Sequence, residues 1–418
     1  MKADVLIFVS HFPPEIGSAS HLFFDLSKEL QKRKYKVRVV TTFPRPYNVN
    51  TDISKYRGKL LMREKMDGIE VVRIRELPIP KDNLFLRGAE MFILPLILFF
   101  AGLFVSKPRI ILVYSPPLPL AFFSIILGKL KNVPVVVNIQ DIYPQTVIDV
   151  GLLKSKSLIT IFKKMERFVY KNADIITVHS EGNKEFIVGL GASRDKVRVI
   201  YNCSDINYIK PMSKNNEFSR TYNLTKKFVV SYAGILSYHQ GLDTIVEAAK
   251  LLETRRDIHF LIAGDGFYKE KLIEKIRNLK LKNITLIPFQ PKEKYRLLLA
   301  SSDISLVTLR GDIKTPVVPG KLHNIMAAGR AVIACVPKIS DAVNIIKKAN
   351  CGICVEPNNP KKLASAILHL YKNRQKLKEF GRNGRKFAEK NFSLETFADN
   401  YEKIFKNLTK KSLFYDKE

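Results

Sequence analysis

Short runs of branched apolar residues recur along this chain, each closed by a loop and followed by residues at helical spacing. The first series lies at 5–10, 35–42, 71–76, 110–114, 135–139, 175–179 and 197–201. Near-continuous Val/Ile runs of this length suit strands buried on both faces, and helices between them favour right-handed crossovers into a parallel sheet. Between the first two runs, Leu22, Phe23, Leu26 and Leu30 fall on one helical face. A polar stretch at 210–227 interrupts the pattern. It restarts at 228–233 and continues at 259–263, 284–288, 304–308, 331–334 and 353–355, then closes in helices.

At 418 residues, with 46% hydrophobic and 26% charged, the chain can bury two cores. The reading is α/β: two Rossmann-like, doubly wound domains facing a cleft. They are expected at 1–205 and 228–392, with a hinge at 206–227 and a last helix from about 393 to 418 packing back on the first domain. Ligands of such sheets bind at the carboxyl ends of the strands. Attention therefore falls on the loops after the strands.

The net charge of +31, from 70 Lys and Arg against 39 Asp and Glu, is spread over both halves. It favours anionic partners: phosphorylated substrates, acidic lipid or nucleic acid. No nucleic-acid motif and no basic stripe interleaved with aromatics is present, so no specific nucleic-acid partner is expected. Cys351 and Cys354 form a C-x-x-C that lacks two further ligands nearby and runs into a strand, so a structural role is expected for them. No cleavable signal peptide is evident. The uncharged stretch 91–105 contains Pro95 and is short for a span of about 20 residues. A core helix or a membrane-lying face suits it better. Residues 55–131 carry 13 basic and 6 acidic residues around this most apolar part of the first half, the pattern of an element lying on anionic lipid.

Several strand-end loops carry chemistry. In the first, Gly17 and Ser18 precede a helix and would let backbone amides approach an anion. This is not G-x-G-x-x-G, and Thr41, Thr42 and Phe43 stand where an acidic ribose ligand would end the second strand, so NAD is not expected. Asp141, directly after an apolar strand in Asp141-Ile142-Tyr143-Pro144, either orients or deprotonates a hydroxyl or caps the next helix. In the second half Gly234 and Ser237, then Gly264 and Gly266, follow two successive strands. The segment Pro319-Gly320-Lys321-Leu322-His323-Asn324 places Lys321 at a helix start, where its ammonium and the helix dipole would both face a diphosphate.

In order and spacing these segments resemble glycosyltransferase family 4, in its surface-polysaccharide and lipid-linked-sugar branch. They are Phe12-Pro13-Pro14-Glu15, Asp141-Ile142-Tyr143-Pro144, Gln240-Gly241-Leu242-Asp243-Thr244, Pro319-Gly320-Lys321 with Met326-Ala327-Ala328-Gly329, and Asn383-Gly384-Arg385 with Asn391-Phe392-Ser393. The resemblance covers nearly the whole chain. It implies a GT-B fold and retaining transfer from a nucleotide sugar, UDP-linked, to a hydroxyl of a glycan or polyprenyl-linked acceptor. It implies no cofactor and no metal; the apolar and basic pattern at 55–131 makes a cytoplasmic enzyme peripheral on the inner face of the cell membrane the expectation. It assigns Asp141 and Lys321 to catalysis. Gly17, Ser18, Gly234, Ser237, Gly264, Gly266, Gly320, Lys321, His323 and Asn324 are assigned to donor binding. Two acidic donor ligands of many family members are replaced here by Pro316 and Asn324. Basic residues of the first donor loop are replaced by Ile235 and Gln240. Asn324 is then expected to bond the ribose, and backbone at 317–320 to stand in for the first acidic residue. A nucleotide-sugar 2-epimerase and a non-catalytic basic homologue that binds membrane or nucleic acid are the alternatives.

Overall fold

The computed structural model describes residues 4–15, 18–44, 53–76, 84–149 and 151–415. The chain divides into two compact units, Met1–Tyr201 with Leu394–Glu418, and Asn202–Ser393.

The first unit is built on β1 (Asp4–Phe8), β2 (Lys36–Thr42), β3 (Leu61–Met66), β4 (Ile69–Ile74), β5 (Ile110–Ser115), β6 (Val135–Ile139), β7 (Ile175–Val178) and β8 (Val197–Val199). They form one sheet in the order β3-β4-β2-β1-β5-β6-β7-β8. All neighbours pair in parallel except β3 and β4. The sequence reading missed β3. Its residues alternate between exposed and half-buried, as on a sheet edge, so no apolar run marks it. The turn does have a signature: Asp67 and Gly68 both take positive φ, 48° and 85°, as a two-residue hairpin demands. The core lies between the sheet and the helices Leu84–Leu103, Leu118–Lys131 and Lys156–Asn172. The helix Leu394–Tyr415 belongs to this unit. Its buried Tyr401 hydroxyl meets the Asn138 amide at 3.0 Å and Thr177 Oγ1 at 3.1 Å, and Arg33 donates to Glu402 at 3.1 Å.

The second unit carries β9 (Phe228–Ala233), β10 (Ile258–Ala263), β11 (Ile284–Ile287), β12 (Ile304–Thr308), β13 (Ala331–Cys335) and β14 (Gly352–Val355) in the order β11-β10-β9-β12-β13-β14, all parallel. The strand order reverses between β9 and β12, which makes the crevice at their carboxyl ends the natural ligand position. The segment 206–227, expected to be a hinge, is part of this unit and partly ordered by it. Asn216 and Ser219 close a reciprocal cap on the helix Glu217–Thr221, and Phe218 and Leu224 are buried. Few apolar residues suffice there because these two reach the core. Cys335, Cys351 and Cys354 are free thiols that burial pushes up, to about 12, 12 and 11.

Candidate functional site

The loops after β9 and β10 are pressed together at the centre of the second sheet. Ala233 and Ala263 are in register, so Gly234 and Gly264 leave their strands side by side. Gly234 N–H donates to the Ala263 carbonyl at 2.9 Å, and Leu236 N–H to the Asp265 carbonyl at 2.8 Å. A Cβ on Gly264 would stand 2.0 Å from the Gly234 carbonyl oxygen, so only glycine permits this approach. Gly234 has φ +152°, and a Cβ there would fall 2.9 Å from Lys321 Nζ. Gly266, with φ +149°, is held in the same way: a Cβ there would stand 2.3 Å from the Leu236 carbonyl oxygen.

Lys321 reaches this glycine corner from the far side of the switch point. Its ammonium lies 3.7 Å from the centre of the Tyr232 ring and donates to Gln240 Oε1 at 3.1 Å. Tyr232, on β9, is buried, and its hydroxyl lies within donating distance of Gln240 Oε1 (3.0 Å) and the Ile235 carbonyl (2.9 Å). One amide oxygen thus collects both groups. Lys321 makes no ion pair among the described residues. Burial alone pushes its pKa down to about 7. An ammonium desolvated in this way gains from any anion brought beside it. The helix it opens, Lys321–Ala327, has only seven residues. The expected dipole contribution is therefore small, and the charge rests on the side chain.

The other expected residues spread around this corner. Ser237 precedes the 3-10 turn Tyr238–Gln240. A Cβ on Gly320 would meet nothing within 4 Å, which leaves open space beside the loop. His323 is buried, edge-on to Phe392 at 4.3 Å, with Nδ1 3.3 Å from the Gly320 carbonyl. Asn324 Oδ1 accepts from Ser204 Oγ at 2.7 Å, and the same amide bonds Tyr295, so it already has protein partners. Sequence reasoning did not place Tyr232 in the site. It named Gln240 in a segment carrying the resemblance and as a departure, without a role in the site.

In the first unit Asp141 directly follows β6, at the start of a loop whose next residues, Ile142 and Tyr143, are buried. Desolvation raises the pKa of Asp141, and burial, with the Asp141 charge adding to it, pushes Tyr114 up. Tyr143 N–H bonds the Asp141 carbonyl at 3.0 Å, and the Tyr143 ring packs against Phe162 at 5.0 Å. Gly17 lies outside the described residues, and so does the side chain of Ser18. Nearby, His11 Nδ1 lies 3.0 Å from the buried Glu15 carboxylate. No group of three or more metal-ligating side chains occurs among the described residues.

A glycine-walled corner at a sheet switch point, with one desolvated lysine, has the chemistry to accept an anion such as a phosphate. The comparisons agree on the class. Residues 213–387 match the family described as Glycosyl transferases group 1, and residues 19–203 match the Glycosyl transferase 4-like domain. The chain belongs to glycosyltransferase family 4 and is a glycosyltransferase of GT-B type. A similar protein is the putative colanic acid biosynthesis glycosyl transferase WcaI of Escherichia coli K12, 24% identical over 87% of this chain and 91% of its own. Among solved structures, Anabaena Alr3699/HepE in complex with UDP superposes with a TM-score of 0.73 at 16% identity, covering 97% of this chain and 100% of its own. The sucrose-phosphate synthase of Thermosynechococcus elongatus does so at 0.75, with 16% identity, over 97% and 99%. Identities this low speak for the fold alone.

Proposed function

We propose that the chain transfers a sugar from a UDP-linked donor to a hydroxyl of a glycan or polyprenyl-linked acceptor, with retention of anomeric configuration, at the inner face of a membrane. The observation that carries the donor side is the desolvated Lys321 ammonium against Gly234. A diphosphate beside it removes the cost of burying that charge. As the bond from the anomeric carbon to the diphosphate oxygen breaks, the electron pair stays on the oxygen, and Lys321 stabilises the charge developing there. Gly264 and Gly266 let the two loops close on the donor, and the open space at Gly320 admits it from the other side. Asp141 orients the acceptor hydroxyl or takes its proton as the hydroxyl oxygen bonds the anomeric carbon. Its raised pKa suits proton exchange better than an ordinary surface carboxylate would. The Escherichia coli relative, named for colanic acid biosynthesis, supports a polysaccharide setting. The UDP held by the Anabaena protein supports the base.

The test is product analysis. Purified protein is incubated with UDP-sugars and a polyprenyl-diphosphate-linked sugar, and the new linkage is read by NMR. A product with the donor's anomeric configuration, formed only with acceptor present, is expected. Turnover of a UDP-sugar to its epimer without acceptor would establish the epimerase reading instead, and an inverted linkage would remove retention.

A further inference from the structure

Three helices of the first unit form one outer layer. Phe92 stacks on Phe162 at 5.2 Å, Phe99 meets Phe123 at 5.9 Å, and Phe122 meets Phe168 at 4.8 Å. These contacts join the helices Leu84–Leu103, Leu118–Lys131 and Lys156–Asn172. The inner side of the first is fixed by Gly102, where a Cβ would stand 2.6 Å from Leu127 and 2.7 Å from Phe8. Its outer side presents Leu96, Phe100 and Leu103 at helical spacing, with Phe104 beyond its end and Leu130 on the next helix. Phe100 is 52% and Phe104 82% exposed. Burial in the core explains none of these side chains, and so many together mark an interaction surface.

Charge identifies the partner. From residue 91 to 173 the chain has ten basic residues and three acidic ones. Of the acidic three, Glu166 is buried against Tyr170, while Asp141 and Asp149 flank the loop after β6. Lys107, Lys129, Lys163 and Lys164 are exposed on these helices and the turn after the first of them, and Lys129 Nζ lies 5.2 Å from the centre of the Phe168 ring. A second copy of the chain would bring like charges together. An anionic bilayer accepts both the apolar side chains and the cations.

We infer that this three-helix face is the membrane-docking surface, with Phe100 and Phe104 entering the lipid and the flanking lysines holding anionic headgroups. The inference deepens the membrane setting proposed above and locates it. The basic excess expected at 55–131 is extended by the helix Lys156–Asn172, which adds five basic residues against one acidic. The face is also tied to the acceptor loop. Tyr143, two residues after Asp141, packs on Phe162 and bonds Met91 Sδ at 3.6 Å. A lipid-borne hydroxyl at the bilayer surface would thus be close to the Asp141 loop.

The chain has no tryptophan, so one substitution creates a unique probe. Phe100→Trp and Phe104→Trp are compared with Phe289→Trp, at an exposed position of the second unit. Each full-length protein is mixed with phosphatidylglycerol vesicles, then with phosphatidylcholine vesicles, with and without a lipid-borne quencher. The first two probes should shift to shorter wavelength and be quenched with phosphatidylglycerol only, while Phe289→Trp stays unchanged. Lys163→Gln and Lys164→Gln should each weaken vesicle binding roughly fivefold. Equal responses from all three probes would mean adsorption by net charge alone, and silence from the first two would mean no docking; either overturns the assignment. A shift that follows protein concentration without lipid would assign the face to self-association instead. Thermal stabilisation by UDP-sugars reports the donor site separately, so its presence without vesicle binding would refute the docking face and leave the transferase reading standing.

Discussion

Donor affinity should fall as pH rises through neutrality, because the ammonium meant to meet the diphosphate is already half neutral near pH 7. Burial holds Lys321 at about 7 in the free protein. Its protonated fraction then drops from about nine-tenths at pH 6 to about one-tenth at pH 8. Apparent Kd rises in inverse proportion, about tenfold. The diphosphate of a nucleotide sugar is esterified at both ends and does not titrate in this range, so the slope belongs to the protein. Calorimetric titration of a UDP-sugar at half-unit steps of pH would measure it, with proton uptake visible in buffers of different ionisation heat. Lys321→Arg keeps the charge at every pH and should flatten the profile. Gln240→Glu should flatten it too, for another reason. A carboxylate about 3 Å from the ammonium attracts it by roughly 3–5 kcal/mol at an effective dielectric constant of about 20–40, or two to four pKa units. That variant would bind more weakly at pH 6, since its own charge opposes the diphosphate. A wild-type Kd constant from pH 6 to 8.5 would refute the reasoning. The free protein should follow the opposite sign in stability. Below pH 7 both folded and unfolded states carry the proton, and the full cost of burying it is present. Between about 7 and the ordinary lysine value of 10.5 only the unfolded state holds it, so this group makes folding more favourable as pH rises.

Three further substitutions test other parts of the account. Gly264→Ala forces a Cβ onto the Gly234 carbonyl and should lower stability by about 1–3 kcal/mol in a denaturant titration, while abolishing UDP-sugar binding. Asp141→Asn should leave UDP-sugar affinity within twofold, as calorimetry would show, and reduce turnover by a factor of about 100 or more. Tyr401→Phe removes a buried hydroxyl shared by Asn138 and Thr177 and should cost about 1–3 kcal/mol of the first unit's stability, read from its thermal transition, with donor binding unchanged.

The alternation of buried strands and amphipathic helices was legible because parallel strands covered on both faces must be apolar along their whole length. Where that condition lapses, the apolar pattern carries no signal. Edge strand β3 shows an exposed/half-buried alternation and carries Arg63, Glu64 and Lys65, and the 206–227 stretch is ordered by a cap and a few buried residues. The glycine loops were visible as sequence, and their close packing follows from glycine's missing Cβ. Tyr232 and Gln240 were not visible as site residues. Their part depends on Lys321 arriving at the same corner from far along the chain, which no local pattern encodes. Nor could spacing show that His323 lies against Phe392 or that Asn324 is engaged by Ser204. The docking face was half legible: the apolar stretch and its basic flank stood out, but the third helix joins them only through packing.

The central claim is that the Gly234, Gly264 and Lys321 corner binds the diphosphate of a nucleotide sugar. Thermal unfolding of wild type and Lys321→Ala against a panel of nucleoside diphosphates and nucleotide sugars tests it most directly. At a hundred times its Kd, a bound ligand adds about 2.7 kcal/mol, or roughly 5–10 °C for a unit of this size. The account predicts that UDP and a UDP-sugar raise the transition of the wild type and leave Lys321→Ala unmoved. No shift with any nucleotide, or an equal shift in both proteins, would contradict it.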